Sequence, residues 1–529
     1  MTQTLFTLLE AAAARYGDRP AVCYEGRTLG YAALLDASSR LAEALADSGA
    51  GPGEQVAFCF RKSIDAIVTM FALIRTGACY VPLDPAWPAE RMAMICEDAS
   101  IRLWTGSGPP AAGLGGIDRA ICSSLAGAGS ASGSGTTVDA GRASGGGSGS
   151  VSIMTLSDAM QAAPPAWAPR EPAGGIANLL FTSGSTGRPK GVRITTLSLL
   201  HYSQWVVDFF GLTAEDRVAN HAPYNFDLST LDIFAAVRAG AAMVPVPEKL
   251  KMFPYQMAKY IADERITTWY SVPSALIMMQ LRGKLREHDL SALRHVIFAG
   301  EVMPKPALQA IAAELPPVTL TNLYGPTETN VCTYHACTAA DLADDGPVPI
   351  GKPISDTRVW IVDDAMRPVP AGDAGELLVA GPTVTSGYFG DAVKTAERLV
   401  PAPDGDGTAY RTGDRVRARA DGVLMFEGRI DRMIKARGHR IEPGEIEAAL
   451  AKHPAVKESA VVPIPDPVFG NRIKACLAPR DGASLVEADL AAFCRAHLPP
   501  YMLPDVWAFY PSLPRTDREK IDLQQLMST

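Results

Sequence analysis

The sequence has no Cys-x-x-Cys pair, no basic leader before an apolar stretch, no apolar run long enough to span a bilayer and no internal repeat. Each absence removes a class of protein. The nine cysteines, at 23, 59, 79, 96, 122, 332, 337, 476 and 494, are odd in number and scattered, so neither a disulfide framework nor a zinc ribbon is indicated. Buried, reduced thiols in a cytosolic protein are the simpler reading. The start, Met1-Thr2-Gln3-Thr4-Leu5-Phe6, lacks a basic n-region, which fits a cytoplasmic chain with no membrane association. Positive charge is also in deficit: 49 Lys and Arg against 57 Asp and Glu leave a formal net charge of −8. Such a chain has no general attraction for nucleic acid or an anionic membrane. Neither is expected as a partner.

What the chain does have is length and alternating pattern. Its 529 residues are too many for one ordinary core, and 47% hydrophobic against 20% charged content fits a globular protein. Leu34, Leu41 and Leu45 share one helical face within Ala32–Ala46, Glu54–Phe60 reads as a strand, and Ser63–Arg75 reads as an amphipathic helix. Tyr80-Val81-Pro82-Leu83-Asp84-Pro85 closes another strand with turn chemistry. This alternation predicts an α/β fold with a mostly parallel sheet covered by helices.

From about residue 106 to 150 the composition collapses to Gly, Ser and Ala, which predicts a flexible surface insertion. Strands are expected again at His295–Ala299, Val318–Leu323, Arg358–Val362 and Glu376–Ala380. After a strand at Gly422–Gly428 and the string Arg429-Ile430-Asp431-Arg432, a new small α/β pattern begins. It holds helices at Pro443–Lys452 and Glu487–Leu498 and strands at Ala460–Ile464 and Lys474–Ala478. The expected division is a large unit, 1–430, and a small one, 431–529.

The strongest chemical signal is Leu179-Leu180-Phe181-Thr182-Ser183-Gly184-Ser185-Thr186-Gly187-Arg188-Pro189-Lys190-Gly191. Its glycines let backbone N–H groups approach an anion, its hydroxyls add donors and Lys190 adds charge, so it suits polyphosphate. The spacing differs from the Walker pattern, because Pro189 precedes the lysine and Gly191 follows it. Asn322-Leu323-Tyr324-Gly325-Pro326-Thr327-Glu328 sets an aromatic ring, a turn and a carboxylate at a strand end, where open α/β sheets bind ligands. Glu328 suits Mg²⁺ shared with phosphate oxygens. Tyr410-Arg411-Thr412-Gly413-Asp414 offers an aspartate for ribose hydroxyls, and Lys520 lies near the end of the sequence. The basic cluster from Arg411 to Arg440 sits at the junction, where a solvated face and a phosphate or partner contact are comparable readings.

Together these segments closely resemble the adenylate-forming ligases, which include acyl- and aryl-CoA synthetases, luciferase-like enzymes and peptide-synthetase adenylation domains. The likeness runs from Leu29-Gly30-Tyr31 to Lys520, interrupted by the Gly/Ser stretch. It implies a large N-terminal domain of layered sheets and helices, a hinge at Asp431 and a small mobile α+β C-terminal domain. It also implies ATP and Mg²⁺: Thr182, Ser183, Gly184, Ser185, Thr186 and Lys190 on the β/γ-phosphates, and Glu328 on the metal. Gly300, Glu301, Asn322 and Tyr324 would frame adenine, Asp414 and Arg429 hold the ribose, and Thr327 contact the α-phosphate. Lys520 would bridge the substrate carboxylate and the nucleotide in the first half-reaction. In the second, the small domain would rotate and present Arg437-Gly438-His439, so that a thiol attacks the adenylate. Two departures stand out: Arg518-Glu519 replaces the family's usual Asn-Gly before the lysine, and Pro443 stands where leucine is frequent.

The choice of acid falls elsewhere. Asn225-Phe226-Asp227-Leu228-Ser229 resembles the amino-acid-activating branch, in which the aspartate pairs with the substrate's α-ammonium. The family's pocket positions map to Leu228, Leu231, Tyr270, Ile297, Ala299, Leu323, Val331 and Cys332, none of them charged. This set looks like that of stand-alone L-prolyl carrier-protein ligases, which implies a separate phosphopantetheine-bearing carrier protein as acceptor. D-Alanyl carrier-protein ligases share Phe-Asp-Leu-Ser and form the alternative. An acyl- or aryl-CoA ligase, or a catalytically silent nucleotide-binding protein, ranks lower.

Overall fold

A computed structural model describes residues 4–111, 114–124, 136–139, 150–184, 187–468, 470–516 and 520–528. Three sheets occupy the chain before residue 430, of nine, eight and five strands, and two small sheets follow it, of two and three strands. No helix among the described residues is long and apolar enough to cross a membrane.

The nine-stranded sheet carries the site. Its centre is parallel: Thr319–Tyr324, His295–Ala299, Thr268–Ser271, Arg217–Asn220, Ala242–Pro245 and Pro20–Tyr24 lie side by side in that order. All these strands therefore end on one edge, and the loops leaving that edge can converge on one ligand. The eight-stranded sheet places Ile176–Thr182 against Cys79–Pro82 in parallel and against Lys190–Thr195 in antiparallel register. Helix Ile64–Thr76 buries all of its residues but Asp65. The amphipathic reading of this segment is thereby corrected: burial around the whole circumference, Thr69 and Arg75 included, puts the helix between layers, and it contacts Cys79–Pro82 of one sheet and Pro20–Tyr24 of the other.

Most of the expected elements appear within a few residues of their expected ends: Tyr31–Asp47, Gln55–Cys59, His295–Ala299, Arg358–Val362, Pro443–Leu450 and Glu487–His497. The Gly/Ser/Ala stretch is the exception. Part of it, Arg119–Cys122, is a strand of the eight-stranded sheet between Leu103–Gly106 and Ser150–Thr155, with Ala120, Ile121 and Cys122 buried. Four residues suffice for a strand, so a short apolar run outweighs the small-residue composition around it. Residues 125–135 and 140–149 lie outside the described residues.

After residue 430 the chain builds a hairpin, Ile434–Ala436 with His439–Ile441, and a sheet of Val456–Asp466, Gly470–Pro479 and Val506–Phe509. These share a core that includes Ile446, Leu450, Val461, Leu477 and Leu490. The hairpin tip is pressed onto the large unit: Gly438 has φ +78°, and a Cβ there would stand 2.4 Å from Val272 Cγ1. Arg91 and Glu445, both almost fully buried, form an ion pair across the same junction.

Candidate active site

The cleft at the carboxyl edge of the nine-stranded sheet encloses about 930 Å³ including its open mouth, and the 434–441 hairpin forms one wall. The strands that flank the glycine-rich segment pair antiparallel, with Lys190 across from Thr182. That register sets the lysine beside Thr182. Gly184 is required by closeness, because a Cβ would fall 2.0 Å from the Arg188 carbonyl oxygen. Thr182 and Ser183 line the cleft. Thr182 Oγ1 is buried without a hydrogen-bond partner among the described residues, whereas Ser183 Oγ donates to the Arg440 carbonyl at 2.8 Å. Ser185 and Thr186 lie outside the described residues.

Glu328 is fully buried and carries several partners. Arg440 Nη1 approaches its two oxygens at 3.0 and 2.9 Å, Lys190 Nζ stands 3.5 Å away, and the Tyr388 hydroxyl donates at 2.7 Å. Burial alone would raise its pKa, but Arg440 and Lys190 hold the carboxyl well below the usual range. For Lys190 burial dominates, and with Arg440 nearby the ammonium is pushed down to about 8. Thr327 sits on the cleft wall one residue away.

The residues expected at ribose and base form a second group. Asp414 and Arg429 are directly opposed on neighbouring strands, which places opposite charges together. Arg429 Nη1 donates to Asp414 Oδ1 at 2.7 Å, and the Tyr324 hydroxyl donates to Oδ2 at 2.5 Å. Gly300 and Arg429 line the cleft. Asn322 is buried and donates to the Pro349 carbonyl at 2.7 Å. Glu301 accepts from the backbone of Ser274 at 2.8 Å and of Gly438 at 2.5 Å, so its carboxylate binds the hairpin tip in this arrangement.

Asp227 enters the cleft from the loop after Arg217–Asn220, beside Leu228 and above Tyr270, Ala299 and Val331. Desolvation pushes its carboxyl up to about 6, against a hydrogen bond from Thr327. It has no ion pair among the described residues. Leu231, Ile297, Leu323 and Cys332 are fully buried behind that wall, and Leu231, Ile297 and Leu323 belong to one hydrophobic cluster with Tyr270 and Val331.

Lys520 stands apart: it is exposed, and its carbonyl accepts from Thr516 N at 2.7 Å. Asp431 accepts from Arg429 at 2.9 and 2.5 Å. The sequence motifs assign no site role to Arg440, Lys435, Tyr388 or Tyr501. Tyr501 and Lys435 line the cleft, and Tyr501 stacks on His439 with ring centroids 3.9 Å apart. The basic cluster at the junction was the available signal for Arg440; Tyr388 and Tyr501 carried none.

Residues 9–389 match the AMP-binding enzyme family, and residues 445–520 match the AMP-binding enzyme C-terminal domain. An L-proline--[L-prolyl-carrier protein] ligase of Pseudomonas fluorescens is 37% identical over 510 residues, 96% of each chain. A protein of the same description from Streptomyces coelicolor is 37% identical over 534 residues, 99% of this chain and 96% of that one. Among solved structures, the amide bond synthetase McbA of Marinactinospora thermotolerans aligns with a TM-score of 0.84 at 25% identity over 99% of each chain. An artificially fused adenylation–PCP di-domain, NpsA-ThdA of Klebsiella oxytoca, aligns with a TM-score of 0.78 over 96% of this chain and 93% of that one. At 23% identity the latter speaks to fold alone.

Proposed function

The chain belongs to the AMP-binding enzyme family, and from that premise we propose that it activates L-proline with ATP and passes the prolyl group to the phosphopantetheine thiol of a carrier protein. One observation carries the substrate class: Asp227 is a buried carboxylate with no ion-pair partner among the described residues, beside the uncharged side chains of Tyr270, Ala299 and Val331, while Lys435 acts on it only from a distance across the cleft. A desolvated carboxylate without a cation is unfavourable, and an α-ammonium corrects this. A charged substrate side chain laid against Tyr270, Ala299 and Val331 would meet no counter-ion among those three residues.

The first half-reaction is attack of the substrate carboxylate on the α-phosphorus of ATP, with pyrophosphate leaving. Lys190, the Thr182 hydroxyl and the turn around Gly184 receive the departing phosphates, and Thr327 reaches the α-phosphate. Asp414 and Arg429 take the ribose. The residues fit Mg²⁺: no group of three metal-ligating side chains occurs among the described residues, but Mg²⁺ needs only one or two carboxylates when phosphate supplies the rest. Glu328 would hold it, and the metal when bound neutralises phosphate charge.

Lys520 serves this step only if the small unit, 431–529, turns to bring it inward about Asp431. The arrangement seen, with Gly438–Arg440 on the cleft wall, suits the second step. Beyond Gly438 a further cavity is lined by His221, Trp269, Met279, Lys251 and Arg437, apolar walls for a thiol arm with two cations, paired with Glu248 and Asp505, at its edge. All nine cysteines are free, in keeping with a cytoplasmic setting.

The test is ATP–pyrophosphate exchange across the amino acids, followed by intact-mass analysis of a holo carrier protein. L-Proline should give the strongest exchange and a prolyl adduct on the carrier. Preference for D-alanine would overturn the substrate, and loading of free CoA in place of the carrier would overturn the acceptor.

A further inference from the structure

Asp227 stands on a segment whose two ends are tied together by three buried polar side chains, none of which lines the cleft. The segment leaves the nine-stranded sheet after Arg217–Asn220 and ends in the wide π-helical turn Leu231–Ala235. Between them the backbone folds in short turns: Phe226 N donates to the Pro223 carbonyl at 3.0 Å, Ser229 N to Phe226 at 3.1 Å and Thr230 N to Asp227 at 3.0 Å. Turns of this kind set local shape, and a loop's place over its sheet comes from the scaffold below it. Here that place is fixed at the base. Asn220 Nδ2 donates to Asp232 Oδ2 at 3.0 Å, closing the segment across 12 residues. Lys62 Nζ donates to Asn220 Oδ1 at 2.5 Å and to the Ala222 carbonyl, and it lies 4.1 Å from the centre of the Tyr224 ring. Lys62 comes from the other layer, between the strand Gln55–Cys59 and helix Ile64–Thr76. One side chain therefore ties the base of the Asp227 segment to the second sheet. The Asn220 amide is suited to the joint, because it offers an oxygen to the lysine and an N–H to the carboxyl.

We propose that Lys62, Asn220 and Asp232 are positioning residues for amino-acid activation, a buried clasp that holds the Asp227 carboxylate at the point where the substrate ammonium binds. This rests on the reading of Asp227 as the amine-binding group. Lys62 is 2% exposed, and Asn220 and Asp232 are fully buried. Polar groups at such depth are costly unless they satisfy one another, and a network that does so rigidifies the segments it joins. Burial pushes both end groups toward neutrality, the lysine down and the Asp232 carboxyl up to about 8. Hydrogen-bond geometry, rather than net charge, is therefore what the three supply. A binding carboxylate has to be held within about 0.5 Å of its productive place, and buried hydrogen bonds behind it do the holding. Without the clasp the short turns and the uncharged wall of Tyr270, Ala299 and Val331 remain. The loss should then fall on the ammonium and spare the rest of the substrate.

The experiment compares L-proline with cyclopentanecarboxylate, which has CH₂ where proline has its ammonium, by calorimetry on the full chain with α,β-methylene-ATP bound. The wild type should favour proline by about 30-fold or more, the size of a hydrogen bond to a charged group, and Asp227→Asn should abolish that preference. Lys62→Met and Asp232→Leu should each cut the preference at least about fivefold, while affinity for cyclopentanecarboxylate and for the nucleotide stays within about twofold of the wild type. Asp232→Asn, which keeps an oxygen for the Asn220 amide, should recover most of the preference lost in Asp232→Leu. Equal weakening of both acids would mark the three residues as general supports of the fold and overturn the proposal. So would a preference as large as the wild type's in either folded variant, or an Asp232→Asn variant that recovers nothing. An unchanged preference in Asp227→Asn would instead overturn the reading of Asp227. If the exchange assay selects D-alanine, D-alanine and propanoate make the same comparison.

Discussion

Lys190 Nζ stands 3.5 Å from Glu328 Oε1, joining a strand of one sheet to the loop at the carboxyl edge of another. Burial has moved the lysine down to about 8, so its charge is complete only below that pH. ATP binding should therefore weaken as pH rises through 8, seen as a rising KM for ATP in the exchange assay. Lys190→Met should remove this pH dependence and raise the KM about 10- to 100-fold, the size of a hydrogen bond to a charged group.

Asp227 gives a limb of opposite sense. Its carboxyl, pushed up to about 6 by desolvation, is an anion only above that pH. The KM for the amino acid should rise as pH falls through 6. The stability effect runs the other way. A raised carboxyl pKa favours the fold below the ordinary aspartate value of about 4 and loses that contribution as pH climbs through 6. Asp227→Asn should thus unfold at higher temperature than the wild type at pH 7.5, by about 1–3 kcal/mol of stability. The gain should vanish below about pH 4, while exchange activity is lost at every pH. An unchanged exchange rate in this variant would remove Asp227 from the substrate site.

The legible and illegible parts of this molecule differ in physical kind. Helix Ile64–Thr76 and the strand His295–Ala299 carry continuous apolar patterns, and the segment 182–190 carries its own turn chemistry, so local sequence was enough to place them. The strand Arg119–Cys122 was not, because only its neighbours Leu103–Gly106 and Ser150–Thr155 turn four residues into a buried strand. The same holds in the site. Asp227 and Lys190 stand within recognisable strings, whereas the pairing of Arg440 with Glu328 arises only when the hairpin docks. Tyr388 reaches Glu328 from a turn with no pattern of its own. Contacts made between distant segments leave little local mark.

Lys520 provides the sharpest division between the two half-reactions. It is exposed and absent from the cleft wall, while Gly438, His439 and Arg440 are on it. Lys520→Ala should reduce ATP–pyrophosphate exchange by about 100-fold or more, the range for removing one charge-stabilising group from a reacting centre. On the proposed assignment of the observed arrangement to the second step, transfer from chemically prepared prolyl-adenylate to holo carrier protein should proceed within about threefold of the wild-type rate. An equal loss in both assays would mean that the residue supports the small unit as a whole rather than the first step.

Among the described residues, Arg91 and Glu445 form the one ion pair between the two units in which both partners are nearly fully buried, at 1% and 5% side-chain exposure. Breaking such a pair from one side leaves an uncompensated charge and costs about 3–5 kcal/mol. Because the pair belongs to the junction and not to either core, the loss can be relieved by undocking without unfolding. Arg91→Met should therefore leave the melting temperature of the large unit within about 2 °C of the wild type, well below the shift expected if the full cost fell on its core. Cleavage by trypsin around Arg429 and Arg432 should accelerate at least about fivefold as that segment becomes accessible. The double variant Arg91→Met with Glu445→Leu removes both charges and supplies apolar contact instead, and should return the cleavage rate to near that of the wild type. If the single variant melts early and the double variant does not restore protection, the pair stabilises a core and does not govern docking.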